Sequence, residues 1–363
     1  MKSTSASPAL PASGTRPSAT GWNLLVSVCA CTVALGGCAS GDSTDAGSGG
    51  STADPVVGGP DPARFVTDAL VSSEIVDCEL ADGTETRCYE IVTAGTQKAS
   101  DPIGPFCPPT TSTSAEDAGI WLDGEALYQA DGDFILNLPE LYGTRYPGGD
   151  EVENAWIFHD RNGAVSITDT QEACEAAARP DVDPAYYNHC VECSLDYADG
   201  GVSMTFTIPV EPVPADEPGA LGPEVGVSLS GFQIASRAPV EAILSSFTIA
   251  AFDDCGGHIN PFDGYHFHAA TGAEGCNGAG FEEDGHAALI GYALDGYGLY
   301  GQLDADGREP DGLDECRGHE NDARGYHYHA ASPEENMHIG CYTGKTTALE
   351  RPGGPPPDGD RPR

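Results

Sequence analysis

The chain has 363 residues, more than a single hydrophobic core usually holds, so one to three domains are expected. Sixteen Lys+Arg against 57 Asp+Glu leave a formal net charge of −41, which excludes a nucleic-acid binder and a basic face docked on anionic lipid. Apolar residues at 39% and aromatics at 8% suffice for a folded core, while 47 Gly and 28 Pro predict a turn-rich chain without long helices.

Lys2 and Arg16 lie in a polar stretch without acids, followed by an apolar run from Leu24 to Gly37. That run is too short to span a bilayer and suits the core of a signal peptide, residues 1–37. Its end, Leu35-Gly36-Gly37-Cys38, resembles a bacterial lipobox, in which Cys38 is lipidated and becomes the mature N-terminus. Plain secretion with cleavage near Gly37 is the competing reading. Residues 38–60 are Gly-, Ser-, Thr- and Asp-rich and read as a flexible tether. The expectation is a protein of the bacterial cell envelope, held by membrane lipid at the outer membrane or cell surface.

Residues 61–200 form a β-rich N-terminal region. Strands are predicted over 118–128, over 134–138, and over 155–159 with 164–168 around the Asn162-Gly163 turn. Asp131-Gly132-Asp133 reads as a turn. One helix is predicted, with Asp169 as N-cap, Glu172 three residues on, and a stop at Pro180. Residues 201–348 open with an alternating strand, 202–208, closed by Pro209, and a loop set by Pro212, Pro214, Pro218 and Pro223. The tail, 349–363, is Pro/Gly-rich and reads as disordered.

Residues 253–270 (DDCGGHINPFDGYHFHAA) and 314–331 (DECRGHENDARGYHYHAA) align without a gap at an offset of 61, with 11 of 18 positions identical. A hairpin pattern precedes each, Gly226-Val-Ser-Leu-Ser-Gly-Phe-Gln-Ile and Gly291-Tyr-Ala-Leu-Asp-Gly-Tyr-Gly-Leu, and a third relative begins at Gly119. A cysteine follows each copy. The unit of hairpin, Cys-His segment and closing Cys is therefore used twice, in 226–276 and 291–341.

Thirteen cysteines less Cys29, Cys31 and Cys38 leave ten, an even number that outside the cytoplasm points to disulfides. The duplication pairs Cys255 with Cys276 and Cys316 with Cys341. Cys190-Val-Glu-Cys193 has the alternative reading of a redox or zinc pair.

Eight of the ten histidines fall between His258 and His338. On a strand, residues i and i+2 face one side, so His266 and His268 present two imidazoles together, as do His327 and His329. His258 and His319 could complete each set. Three neutral imidazoles suit a transition metal, copper or zinc first, and leave a position for water. The competing reading is hydrogen bonding of buried histidines to carbonyls and carboxylates. The spacing leaves open whether the copies form two sites or one. His286 and His338 are weaker candidates, equally readable as strand-end hydrogen bonders, and His159 and His189 lie apart.

The Tyr-His-Tyr-His at 326–329, Asp-Glu-Cys-Arg-Gly-His at 314–319, the run from His286 through Leu-Ile-Gly-Tyr-Ala-Leu-Asp-Gly, and Ile339-Gly340-Cys341 together resemble the YHYH-domain proteins. The resemblance covers about residues 200–345 and implies an exported protein, without implying an activity. Phe267 stands where the second Tyr would be, which keeps both imidazoles. Glu335-Asn336-Met337-His338 replaces an aromatic-proline-aromatic step.

Asp304-Ala-Asp306-Gly307 hints at calcium, but Gln302 and Leu313 would fall at the first and last EF-hand positions and cannot serve there. A calcium site of another kind, using Asp311 or Asp314, stays open. No nucleophile elbow, phosphate loop or His-Glu-x-x-His helix is present. The sequence thus predicts a predominantly β (all-β or β-rich α+β), disulfide-stapled protein, lipid-anchored and binding a transition metal through duplicated His-x-His segments. A metal-dependent enzyme, hydrolase or oxidase, and a structural or adhesive module without metal are the alternatives.

Overall fold

The computed structural model describes residues 58–96, 103–143, 156–176, 182–198 and 200–348. The leader, Cys38 and most of the tether lie outside the described residues, as does the tail from 349. Among the described residues no helix is long and apolar enough to cross a membrane.

β1 (Leu70–Glu79) and β2 (Glu85–Thr93) form the longest hairpin, clasped by Cys78–Cys88. The acids along both strands break the apolar alternation, so sequence reading passes over them. β3 (Ile120–Leu122) and β4 (Leu127–Gln129) make a second hairpin around Gly124 at positive φ. It is the third relative of the repeated pattern.

The strand expected over 134–138 is instead the middle of α1 (Gly132–Tyr142). Asp131, read as a turn residue, is its N-cap and accepts the Phe134 N–H at 2.9 Å. Phe134, Ile135, Leu138 and Tyr142 then share one buried helical face. The hairpin expected around Asn162-Gly163 shrinks to an isolated bridge between His159 and Val165. β5 (Ile167–Thr168) turns away to pair in parallel with β6 (Cys190–Val191), and α2 (Gln171–Ala176) lies between them in sequence. Thr170 rather than Asp169 supplies the cap of α2, since its Oγ1 accepts the Ala173 N–H.

β7 (Thr205–Pro209) completes a three-stranded sheet in the order β1-β2-β7. Part of the proline-rich loop extends as β8 (Pro214–Gly219), a position an edge strand tolerates because one side needs no donors.

The duplicated half builds one eight-stranded sheet. The first copy supplies β9 (Glu224–Ser228), β10 (Gln233–Ala235), β11 (Gly257–Asn260) and β12 (Gly264–Phe267). Between β10 and β11 sits α3 (Val240–Ser245). The second copy supplies β13 (Leu289–Ala293), β14 (Gly298–Tyr300), β15 (Gly318–Asn321) and β16 (Gly325–His329), and β17 (Tyr342–Gly344) pairs with β8. The order β11-β12-β10-β9-β13-β14-β16-β15 reads the same from both ends once the copies are exchanged. β9 and β13 meet with Gly226 opposite Ala293, Val227 opposite Tyr292 and Ser228 opposite Gly291, a register that maps onto itself when the copies swap. Glycine is required there. A Cβ on Gly226 would lie 2.3 Å from the Tyr292 carbonyl oxygen, and one on Gly291 would lie 2.1 Å from that of Val227.

Each copy locks its Cys-His turn in the same way. Asp253 Oδ1 accepts the Cys255 and Gly257 N–H groups while Tyr265 donates to its Oδ2; Asp314 does the same for Cys316, Gly318 and Tyr326. The first tyrosine of each Tyr-His-x-His is therefore a structural clasp. Disulfides Cys255–Cys276 and Cys316–Cys341 close the two units, with Cys107–Cys190 and Cys174–Cys193 upstream. Cys190 and Cys193 are thus not a pair with each other.

The fold is β-rich and disulfide-stapled, as its sequence implies. Two cores hold it together, and both draw on residues from either side of position 200. One packs Trp121, Phe158 and α1 against Phe252, Tyr265 and Phe267; the other packs Ile91 and Phe206 against Val227, Leu299 and Tyr328. Backbone bridges Ile120–Phe252 and Cys190–Ile249 tie the N-terminal region to the first copy.

Candidate metal centres

Strand register brings the histidines together. His258 on β11 lies directly opposite His266 on β12, and His319 on β15 lies opposite His327 on β16. The period of two adds His268 and His329 on the same faces. Two groups result, each able to hold a metal ion: His258, His266 and His268, and separately His286, His319, His327 and His329. Within each group the donor atoms lie within 4.8 Å of one another.

In the first group, His268 Nε2 lies 3.1 Å from Nε2 of both His266 and His258. His266 Nδ1 is 3.0 Å from the Gly264 carbonyl oxygen, and His268 Nδ1 is 2.5 Å from that of Ser236. Phe252, held by its bridge to Ile120, stacks on the His258 ring at 4.7 Å. In the second group, His327 Nε2 lies 3.0 Å from Nε2 of both His286 and His319. All four Nδ1 atoms face carbonyl oxygens: Ala287 for His286, Asp311 for His319, Gly325 for His327 and Gly301 for His329. His329 Nε2 is buried without a hydrogen-bond partner.

These anchors fix the tautomers. A carbonyl oxygen only accepts, so Nδ1 must carry the proton and Nε2 must present its lone pair. In the second group four lone pairs converge with no proton among them. Acceptors at 3.0 Å repel one another unless a cation lies between them. Protonation is a poor remedy, because burial first, and neighbouring imidazoles after it, push His327 and His329 down to about 3. Burial likewise lowers His258, His266, His268 and His286. A metal fits the spacing: a tetrahedral ion with bonds of ~2.0–2.1 Å sets its ligand nitrogens roughly 3.3 Å apart.

The two groups differ in closure. Four imidazoles can fill a tetrahedral sphere. Three cannot. A cavity of about 300 Å³ touches His327 of the second group, and the first group borders a half-enclosed cavity of about 270 Å³. Phe106, Val191 and Glu192 from the N-terminal region line that cavity together with Gln233, Arg237 and Ile243. Burial raises the Glu192 carboxyl, whose Oε2 accepts the Cys107 N–H.

His286 completes the second group although it lies outside the duplicated segment. In the hairpin alignment, Gly226 with Gly291, its counterpart is Leu221, so the first copy has no equivalent imidazole. The run from His286 into β13 was the available pointer. His338 is 2% exposed and pushed down to about 3 by burial, and belongs to neither group. His189 bonds Ser166 Oγ and the Ala185 carbonyl, and His159 is likewise outside both groups.

Of the four acids suspected of calcium, three accept backbone N–H groups through their carboxylates. Asp304 accepts from Ala287 N, Asp306 from Arg308 N, and Asp314 from its own turn, while the Asp311 carbonyl holds His319. Among the described residues, the groups able to hold a metal consist of histidines alone.

Residues 205–311 match the YHYH protein family. The chain carries a YHYH domain. The match takes in the first copy and the hairpin of the second, ending just before the Asp314–Ala331 segment that contains the Tyr-His-Tyr-His itself. No curated protein and no solved structure matches the chain.

Proposed function

We propose that this YHYH-domain protein binds two transition-metal ions, zinc or copper, one in the closed His286–His319–His327–His329 site and one in the open His258–His266–His268 site. The observation that carries the reading is the convergence of four Nε2 lone pairs whose Nδ1 protons are all committed to carbonyls. The ligand set contains no thiolate, because the cysteines in question are paired, and neutral imidazoles suit zinc and copper. The closed site would act structurally, and the open one would leave a position for an exchangeable ligand. Five disulfides support export to an oxidising compartment, and the apolar run ending at Cys38 supports a lipid anchor in the cell envelope.

Elemental analysis of the purified mature protein tests the metal reading. Two equivalents are expected, falling to one in His327→Ala/His329→Ala and to the other one in His266→Ala/His268→Ala. Substoichiometric metal unchanged by either pair would refute it. Radiolabelled palmitate should mark the wild type and not Cys38→Ala. Label retained in that variant would remove the anchor.

A further inference from the structure

Arg237 is an unusual arginine for this chain. Acids outnumber bases more than threefold, yet among the described residues its guanidinium has no carboxylate partner. Its Nε and one terminal nitrogen instead contact the Met337 sulfur, at 3.3 and 3.0 Å, and a thioether is a weak acceptor. It is exposed and lines the cavity beside the open histidine group. The preceding residue, Ser236, holds His268 through its carbonyl, and Arg237 lines the same cavity as His258, His266 and His268. Gln233 lines it too, with a buried Oε1 that lacks a partner.

The remaining wall is mostly apolar. Phe106 and Val191 come from the N-terminal region, and Pro239, Ile243 and Ala251 from the first copy. In the second copy the position of Arg237 is taken by Gln302, which donates to Glu309. The first copy thus sets a cation without a carboxylate partner beside its histidines, whereas Arg64 and Arg324, which line the cavity at His327 in the second, are paired with Glu282 and Asp284.

Resting on the metal reading of His258, His266 and His268, we propose that this cavity binds a small organic acid. Its carboxylate meets the Arg237 guanidinium beside the open metal position, and its apolar body lies against Phe106, Val191 and Ile243. Unlike an exposed basic patch, this site offers a cation and an apolar wall together, the usual build of a small-molecule pocket. A cavity of ~150 Å³ holds benzene, so one of about 270 Å³ suits a ligand of roughly ten to fifteen non-hydrogen atoms. Glu192 and Asp263, which also line the cavity, disfavour a second negative charge and select monoanions.

Calorimetric titration of the purified mature protein with 4-methylbenzoate and with neutral 4-methylbenzamide tests the proposal, with metal content measured on the same samples. The acid should bind and the amide should bind at least about tenfold more weakly. Arg237→Gln should weaken the acid by about tenfold at unchanged metal content. Ser236→Phe, which keeps the backbone carbonyl but adds bulk at a cavity-lining position, should abolish binding at an unchanged circular dichroism spectrum. Equal binding of acid and amide, no binding of the acid, or full binding in Ser236→Phe overturns the proposal. Arg237-dependent binding in protein found to hold no metal would uphold the cavity while removing the metal reading; no metal and no binding would remove both.

Discussion

Acidification should destabilise the metal-free protein, and the structure sets both the sign and the size. Burial pushes His327, His329 and His338 down to about 3 from an ordinary 6.5. Between those values the unfolded chain takes up protons that the fold cannot. The stability these rings contribute is therefore complete above pH 6.5 and is lost as pH falls toward 3. At pH 5 each ring costs about 2 kcal/mol relative to pH 8, or about 6 kcal/mol for the three. Three buried acids act the other way, Glu192 being raised by burial as well. Asp253 and Asp295 are raised by burial from 3.8 to about 6, so the fold is protonated first and gains roughly 1–2 kcal/mol from each at pH 5. The net loss is about 3 kcal/mol, to which His258, His266, His268 and His286 add in the same direction. The assay is guanidinium unfolding of chelator-treated protein with its disulfides intact, at pH 8 and at pH 5. A midpoint that stays constant or rises on acidification would show that the histidines are not buried as neutral rings. In metal-loaded protein the fall should be steeper, since protons also displace the ion.

Four substitutions probe separate parts of the construction. Tyr328→Phe removes a hydroxyl that donates to the buried Asp295 Oδ2 at 2.6 Å and accepts the Thr343 N–H at 2.7 Å, and should cost about 2–3 kcal/mol in denaturant unfolding. A loss below about 0.5 kcal/mol would mean the carboxylate finds another donor. Replacing Cys316 and Cys341 by Ala opens a loop of sequence separation 25 and should lower stability by about 3.5 kcal/mol; an unchanged thermal midpoint would contradict this. Gly291→Ala sets a Cβ against the Val227 carbonyl at the meeting of the two copies, and should cost about 2 kcal/mol or more, read from the same unfolding curves. His286→Ala reduces the closed site to three imidazoles and should weaken its metal at least about tenfold in competition with a chelating dye, while an unchanged affinity would place His286 outside the coordination sphere.

The duplicated half was legible because its determinants are local. The His-x-His spacing, the hairpin turns and the closing cysteines are short-range patterns, and a period of two converts them directly into shared faces. What escaped depends on packing. α1 reads as a turn followed by a strand, because Asp131-Gly132 suits a turn and Pro139 argues against a helix; only the buried face of Phe134, Ile135, Leu138 and Tyr142 decides otherwise. β1 and β2 carry acids where alternation is sought, and their pairing is fixed instead by Cys78–Cys88 and by β7. His286 stood only as a weaker candidate because it has no counterpart in the first copy, and it reaches its group through the way β13 and β14 bring it over β16.

That asymmetry explains how one scaffold can carry two different sites. Exchange of the copies conserves what builds the sheet: the self-mapping contact of β9 with β13, the Asp-Tyr clasps and the closing disulfides. It also conserves the carbonyls that orient the second histidine of each pair, Ser236 for His268 and Gly301 for His329. The differences fall in the number of imidazoles and in the residues beside them rather than in the framework. His286 supplies a fourth nitrogen to one group, while the other is left with three and the N-terminal region packed beside it through Phe252. The surrounding acidity does not discriminate between the sites. A formal charge of −41 raises the local concentration of any cation within a Debye length of about 8–10 Å, and salt weakens that attraction for both. On the metal reading, selectivity would therefore come from donor number and from the residues lining the neighbouring cavities, which differ between the copies on a shared framework.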